Sequence, residues 1–208
     1  MLLVVGNKNY SSWSLRAWLA MKVLGIPFEE RRIALYQPAS KPELLKYSPA
    51  GKVPCLVDGE VTVWDSLAIL EYLAERWPAL WPADAAGRAR ARSISAEMHS
   101  GFPNLRQHMC MNIRRHIPGQ GRTPEVLAEI ARIVAIWSEG RGPFLFGGFG
   151  AADAMYAPVV LRFRTYAVDL PPACRAYAER VLALPALQEW MRDAEAETET
   201  LPQFELYA

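Results

Sequence analysis

The sequence predicts two parts of different class, an α/β N-terminal unit over residues 1–78 followed by an all-helical C-terminal bundle over residues 84–208. Three observations point to this. Up to Trp77, short apolar runs alternate with segments whose apolar residues fall at helical spacing. From Asp84 onward no strand-like pattern recurs, and Ala-, Leu- and Arg-rich periodic stretches replace it. Between the two lie Pro78 and Pro82, each of which interrupts a continuing helix.

Taken in order, Leu2 to Val5 is a short apolar run and reads as a buried strand. Ser11 to Leu24 carries Leu15, Trp18, Leu19 and Val23 at helical spacing and stops before Gly25, a good C-terminal signal. Phe28 to Ile33 reads as a second strand, and Pro42 to Tyr47 as a short helix opening on proline. Val53–Val57 and Glu60–Trp64 flank Asp58-Gly59, a strong hairpin signal. Asp65 to Trp77 closes the unit as a helix with Leu67, Leu70, Leu73 and Ala74 on one face. The order is βαβ, α, ββα, which is too small for a Rossmann domain. Beyond the break, helices are expected over 84–115, 123–141, 151–166, 171–184 and 185–196, with glycine- and proline-bearing joints at 118–121 and 140–143. The tail 201–208 shows no clear pattern, and no internal repeat is visible.

Composition narrows the class. Of 208 residues 51% are hydrophobic, enough for a sizeable core, and 22% are charged, which argues against disorder. A net charge of +1 leaves no bulk field to draw the chain to nucleic acid or an anionic membrane. The apolar start ends at Lys8, too soon for a signal peptide, and nowhere is there the run of roughly 20 apolar residues a membrane span needs. Cys55, Cys110 and Cys174 are odd in number and lack CxxC spacing, which suits a reducing cytosol and excludes a disulfide framework. His99, His108 and His116 have no companion cysteine pair, so no metal is expected. The expected class is soluble, cytoplasmic and metal-free.

Three local features carry chemistry. Tyr10-Ser11-Ser12-Trp13-Ser14 sets hydroxyls between the first strand and first helix, where they cap the helix or stabilise a developing anion. No GxSxG elbow surrounds them, which disfavours a serine hydrolase. Gly51-Lys52-Val53-Pro54 places a proline at a strand start, where a cis bond would present the Val53 backbone outward for pairing with an extended peptide. An ordinary edge proline is the plainer reading. In Trp64-Asp65-Ser66-Leu67-Ala68-Ile69, Asp65 and Ser66 sit at another helix start, able to hold an ammonium and a carboxylate, or simply to cap.

In this order and spacing the set resembles the glutathione transferase superfamily, over essentially the whole chain. The resemblance implies a thioredoxin-like N-terminal domain, with glutathione as cosubstrate and no metal. Val53 and a cis Pro54 would pair with the cysteinyl backbone of glutathione, and Asp65 and Ser66 would hold its γ-glutamyl end. A loop serine would favour the thiolate, the attacking form. The Ser-Ser-x-Ser run is most similar to the zeta and related serine classes, making Ser11 the first choice and Ser12 the second. Two departures stand out. Trp13 stands where the zeta pattern has cysteine, which excludes a mixed-disulfide mechanism at that position. Phe102-Pro103-Asn104-Leu105-Arg106-Gln107 fits the isomerase segment poorly. By similarity to beta-class enzymes, His99 would face the cleft, with Phe102 one helical turn on and Arg106 and Met109 continuing the electrophile wall.

The resulting expectation is a glutathione transferase that conjugates a small electrophile, working as a homodimer. A glutathione-dependent isomerase or dehalogenase is the nearer alternative, and a non-catalytic binding module on the same scaffold is the farther one. Asp153 is expected to serve folding, since Gly150 occupies the usual hydroxyl cap position before it. Arg88, Arg90 and Arg92 read as solvated, with Arg90 turned away from the other two. The tryptophans 77, 81, 137 and 190 read as packing, and the cysteines as small buried hydrophobes, Cys55 being the one to check.

Overall fold

A computed structural model describes residues 1–207. Four strands, β1 (Leu2–Val5), β2 (Glu29–Arg32), β3 (Cys55–Asp58) and β4 (Val61–Trp64), form one sheet in the order β2-β1-β3-β4. β1 runs parallel to β2, pairing Leu2 with Glu29, and antiparallel to β3, pairing Val4 with Cys55. β3 and β4 form the expected hairpin, turning at Gly59 with φ 60°. A parallel pair needs a crossover, and α1 (Ser12–Val23) supplies it. β2 carries four exposed charged residues at the sheet edge, where charge discourages pairing with another chain.

Because strand side chains alternate, β1 feeds two cores. Leu3 and Val5 join a large cluster containing Leu15, Trp18 and Leu56. Val4 faces the other way, with Ile33, Leu44 and Cys55, under the short α2 (Ser40–Leu45). α3 (Ser66–Ala74) follows β4, and a single 3-10 turn, Pro78–Leu80, leads into the helical part.

That part holds α4 (Ala85–Ser100), α5 (Pro103–His108), α6 (Pro124–Ser138), α7 (Ala151–Thr165), α8 (Pro172–Leu182) and α9 (Pro185–Ala196). The expected long helix 84–115 does not exist as one element. Gly101 ends α4, Phe102 takes a left-handed conformation with φ 59°, and Pro103 restarts the chain as the first residue of α5. A residue before proline is pushed out of the α region, so the break falls at Phe102. His99 and Phe102 therefore do not share a helix face, a correction to the sequence reading. The stretch 109–123 is not helical either.

α7 is buried along almost its whole length and packs on α1, so the large core runs continuously from sheet to bundle. Its start is fastened by Asp153, whose carboxylate accepts from the N–H groups of Gly150 and Leu145 (both 3.0 Å) and from the Tyr177 hydroxyl. Burial nevertheless pushes this carboxyl up to about 6, because desolvation outweighs the three donors. Trp190 donates its ring N–H to the Lys8 carbonyl at 3.0 Å, and Trp81 and Trp137 are buried. Arg92 grips Glu71 with two bonds, while Arg90 reaches Glu139 just past the end of α6, so the two do diverge. The three cysteines are buried and unpaired. Among the described residues no helix is long and apolar enough to cross a membrane.

Candidate active site

The first functional feature grows directly out of β1. Gly6 donates its N–H to the Ser14 hydroxyl oxygen at 3.0 Å, and the Asn7 carbonyl accepts from Tyr10 and Ser11, which turns the chain into α1. Ser11 is the helix cap. Its hydroxyl accepts from the Ser14 N–H at 3.3 Å and donates to the Ser14 hydroxyl at 2.8 Å. Ser12, the first helical residue, is placed differently. Its oxygen accepts from Arg162 of α7 at 3.3 Å, and no partner takes its proton among the described residues. Trp13 follows, its amide having no intrahelical acceptor in the first turn.

These residues line one side of a cavity of about 640 Å³. Across it lies Val53, whose bond to Pro54 is cis and which stands just before the ladder begins at Cys55. Arg106, Cys110, Met111 and Arg162 close the helical side, and Tyr36 and Phe204 stand at another wall. Phe204 comes from the tail, where a 3-10 turn, Pro202–Phe204, brings its ring within 5.8 Å of Tyr10 and 5.7 Å of Tyr36. Glu205 next to it accepts from the Tyr10 hydroxyl at 2.5 Å.

The structure thus brings Ser11, Ser12, Val53 and Arg106 onto one cavity. Pro54 is buried beside it. Asp65 and Ser66 start α3 as expected, and each already has partners within the protein. One Asp65 oxygen caps the helix, accepting from Leu67 at 2.9 Å and Ala68 at 3.3 Å, and the other lies 3.2 Å from His99 Nε2. Ser66 is buried and accepts from Arg16 at 3.5 Å. His99 also meets the Trp13 ring edge-on at 5.3 Å, so it borders the serine helix through Asp65 and Trp13. Phe102 and Met109 lie in the hydrophobic core and are not part of the cavity lining.

Sequence reasoning named Arg106 but missed the two cations it meets, Arg16 and Arg162. Arg16, Arg106 and Arg162 converge around Trp13 and Ser12, with Arg16 and Arg106 stacked on the indole at 4.3 and 4.9 Å. Burial, and then the mutual repulsion of the three, depress the basicity of Arg16 well below normal and that of Arg162 to about 10. The available signal was Arg162 itself, a charge inside the otherwise apolar run Val159-Val160-Leu161-Arg162-Phe163. Burial pushes the Cys55 and Cys110 thiols up, which keeps both protonated and unreactive. No cluster of residues suited to a metal ion occurs among the described residues.

Comparison with known proteins follows the same lines. Residues 10–76 match the glutathione S-transferase N-terminal domain, and residues 120–193 match the C-terminal domain of that family. A probable maleylacetoacetate isomerase of Caenorhabditis elegans is 31% identical over 173 residues, 79% of this chain and 79% of that protein. The chain belongs to the glutathione S-transferase family. A zeta-class glutathione S-transferase of Euphorbia esula is 28% identical, covering 90% of this chain and 89% of its own length. A glutathione transferase homologue from Burkholderia gl BGR1, solved with bound glutathione, superposes with a TM-score of 0.72 at 25% identity, covering 94% of this chain and 98% of that one. The fold expectation is met, a thioredoxin-like N-terminal part followed by the family's helical part, and glutathione is the family's cosubstrate.

Proposed function

We propose that this glutathione S-transferase holds glutathione along Val53 with its sulfur at Ser12, and transfers it to a small electrophile entering from the Arg106 and Met111 side. One observation carries the reading. The Ser12 oxygen is anchored by a buried guanidinium while its proton is free, at a helix N-terminus, on the wall of a cavity large enough for a small ligand. A hydroxyl so held donates to a thiolate rather than accepting from a thiol. The helix terminus and Arg162 add positive potential, so the anionic sulfur is favoured over the neutral one. Lowering the thiol pKa by about 2 units corresponds to about 2.7 kcal/mol of preferential thiolate stabilisation. The thiolate then forms the C–S bond, and the leaving group departs with the electron pair of the bond it breaks.

Ser11 is the weaker candidate in this reading, because its hydroxyl is committed to Ser14. Asp65 keeps an exposed share with which to meet the glutathione ammonium, and buried Ser66 supports it from behind through Arg16. A second reading, reversible addition of the same thiolate to an unsaturated acid and its expulsion after rotation, is favoured by the likeness to the nematode isomerase. A homodimer in the cytoplasm completes the proposal.

The test is an ultraviolet difference titration with reduced glutathione across pH, on the parent and on Ser12→Ala. Saturable binding with a thiolate band well below the free thiol's range, lost in Ser12→Ala, is the expected result. Binding without any thiolate band would make the protein a carrier or sensor, and absence of binding would overturn the reading.

A further inference from the structure

The short loop that leads to Ser11 and Ser12 is held by the far end of the chain. Only Gly6 to Tyr10 separate β1 from the α1 cap. Three consecutive residues of this loop each give a donor to a carboxylate of the C-terminal tail. The amides of Lys8 and Asn9 donate to Glu197 at 2.6 and 3.1 Å, and the Tyr10 hydroxyl donates to Glu205 at 2.5 Å. Both acids are set into the protein, the Glu197 side chain being 5% exposed and that of Glu205 18%. Leu201, between them, is buried, and its amide meets the Tyr10 oxygen at 3.4 Å.

Cations tie the tail down. Arg114 donates to the carbonyls of Glu197 and Glu199 and, at 2.8 Å, to the Tyr10 hydroxyl. Arg32, at the edge of the sheet, reaches Glu199 at 2.6 Å and Glu197 at 3.4 Å. Glu205 extends beyond the loop, since it also accepts from the Asn112 side chain at 2.9 Å and from Arg115 at 3.3 Å. Asn112 in turn accepts from the Asn9 side chain at 3.0 Å. Three residues before Asn112 stands the Met109 carbonyl to which Arg162 donates, and Arg162 holds the Ser12 oxygen. Glu205 therefore stands on two routes to Ser12. One runs along the chain through Tyr10 and Ser11, the other across the bundle through Asn112, Met109 and Arg162.

We infer that Glu205 is a positioning residue for the reaction, fixing the serine loop through Tyr10 and Asn112 so that the Ser12 hydroxyl meets the glutathione sulfur. This rests on the glutathione reading above. Tyr10 and Phe204 are on the cavity wall and Glu205 is not, so the acid acts through its neighbours rather than on a substrate. Hydrogen bonds to a charged acceptor are shorter and stronger than neutral ones, and Glu205 accepts three. Arg115 balances its charge, so the acid steadies the loop without opposing an anionic sulfur. Tyr10 is two residues from Ser12, and a misplacement of about 1 Å at a reacting group is enough to cost a large part of the rate. The tail thereby belongs to the active site, although its sequence carries no periodic signal.

The test compares the parent with Glu205→Gln, Tyr10→Phe and the two combined. Glu205→Gln keeps the size of the side chain and removes its charge, and Tyr10→Phe removes one hydroxyl. Two readings are taken, the pH midpoint of the glutathione thiolate band and amide hydrogen exchange over residues 7–12 in the glutathione-free protein. Each single variant is expected to raise the midpoint by about one pH unit and to lower kcat/KM about 10-fold. Exchange over 7–12 should quicken several-fold, with β3 and β4 unchanged. The double variant should lose less than the product of the single losses, because one bond is common to both. Lower stability in urea with an unmoved midpoint in both single variants would reduce Glu205 to an anchor of the fold and overturn the proposal. Single losses that multiply would overturn it as well. Tyr10→Phe decides alone should Glu205→Gln fail to fold. A parent without any thiolate band would sink the transferase reading, and exchange then reads the clamp by itself. Faster exchange in the variants leaves the clamp standing, and unchanged exchange sinks it too.

Discussion

Two helix starts that look alike in the sequence, Ser11-Ser12 before α1 and Asp65-Ser66 before α3, have become different things. At α1 one residue caps and the next faces the cavity with a free proton. At α3 the carboxylate is divided between the helix amides and His99, and the serine is sealed under Arg16. Capping is local and follows from residue type. Availability is not local, since it depends on what the rest of the fold sets against the hydroxyl. For Ser12 that is an arginine 150 residues away. On the reading proposed above, a polar helix start serves a ligand where a remote group occupies its acceptor side and leaves its donor free.

A third start, that of α7, is the limiting case of polarity used for folding alone, and it yields the largest expected effect. The Asp153 carboxyl is near 3.8 when unfolded and about 6 when folded. The folded state therefore holds a proton that the unfolded state has lost, so this contribution is full below the unfolded value and is lost as pH rises through about 6. Urea unfolding should show stability falling by about 3 kcal/mol from this group between acid and neutral pH. Asp153→Asn should flatten that slope; an unchanged slope would show that the carboxyl is not the source. Next in size, Ser12→Ala should lower kcat/KM about 100-fold, about 2.7 kcal/mol, and should also lower stability, since it takes from buried Arg162 one of its two acceptors. Equal activity in Ser12→Ala would erase the contrast between the two starts.

Much of the N-terminal half was legible because its signals are short-range. The hairpin followed from Asp58-Gly59, α1 from its apolar spacing and Gly25, and the edge strand from its position between Phe28 and Ile33. The helical half was legible as a class and in its joints at 118–121 and 140–143, but not in the break inside the stretch 84–115. Phe102 looked like one more aromatic on a helix, and only the proline after it hinted that the chain turns left-handed there. The arginine trio was invisible because its members come from α1, α5 and α7, and nothing in sequence spacing says that residues 16, 106 and 162 meet. The tail gave no periodic signal, yet Leu201 is buried and Phe204 walls the cavity. A single 3-10 turn is too short to leave a pattern.

The α3 start can be tested in its own right. Asp65 sits at φ 77° and ψ 134°, a conformation few side chains tolerate, and still contributes two cap bonds. Asp65→Ala should cost about 1–2 kcal/mol of stability through the lost cap. It should also weaken glutathione binding several-fold by removing the ammonium's partner, as read by calorimetric titration. Lost stability with unchanged affinity would reduce this start to a cap and move the γ-glutamyl end elsewhere.

The smallest effect is the sharpest test of the contrast within α1. Ser11 and Ser12 are adjacent, both line the cavity, and both carry a hydroxyl. Ser11→Ala removes the bond to the Ser14 amide, so it should cost about 1 kcal/mol in urea unfolding. It should leave the glutathione thiolate band in place, because in the parent the Ser11 proton already belongs to Ser14. For Ser11 to serve the sulfur, its hydroxyl would have to swing its proton away from Ser14, whose oxygen would keep only the Gly6 donor. That exchange gives up one buried hydrogen bond for another, whereas Ser12 gains a bond and surrenders none. A thiolate band lost in Ser11→Ala and kept in Ser12→Ala would reverse the assignment, and would show that the sulfur reorders the Ser11–Ser14 pair when it binds.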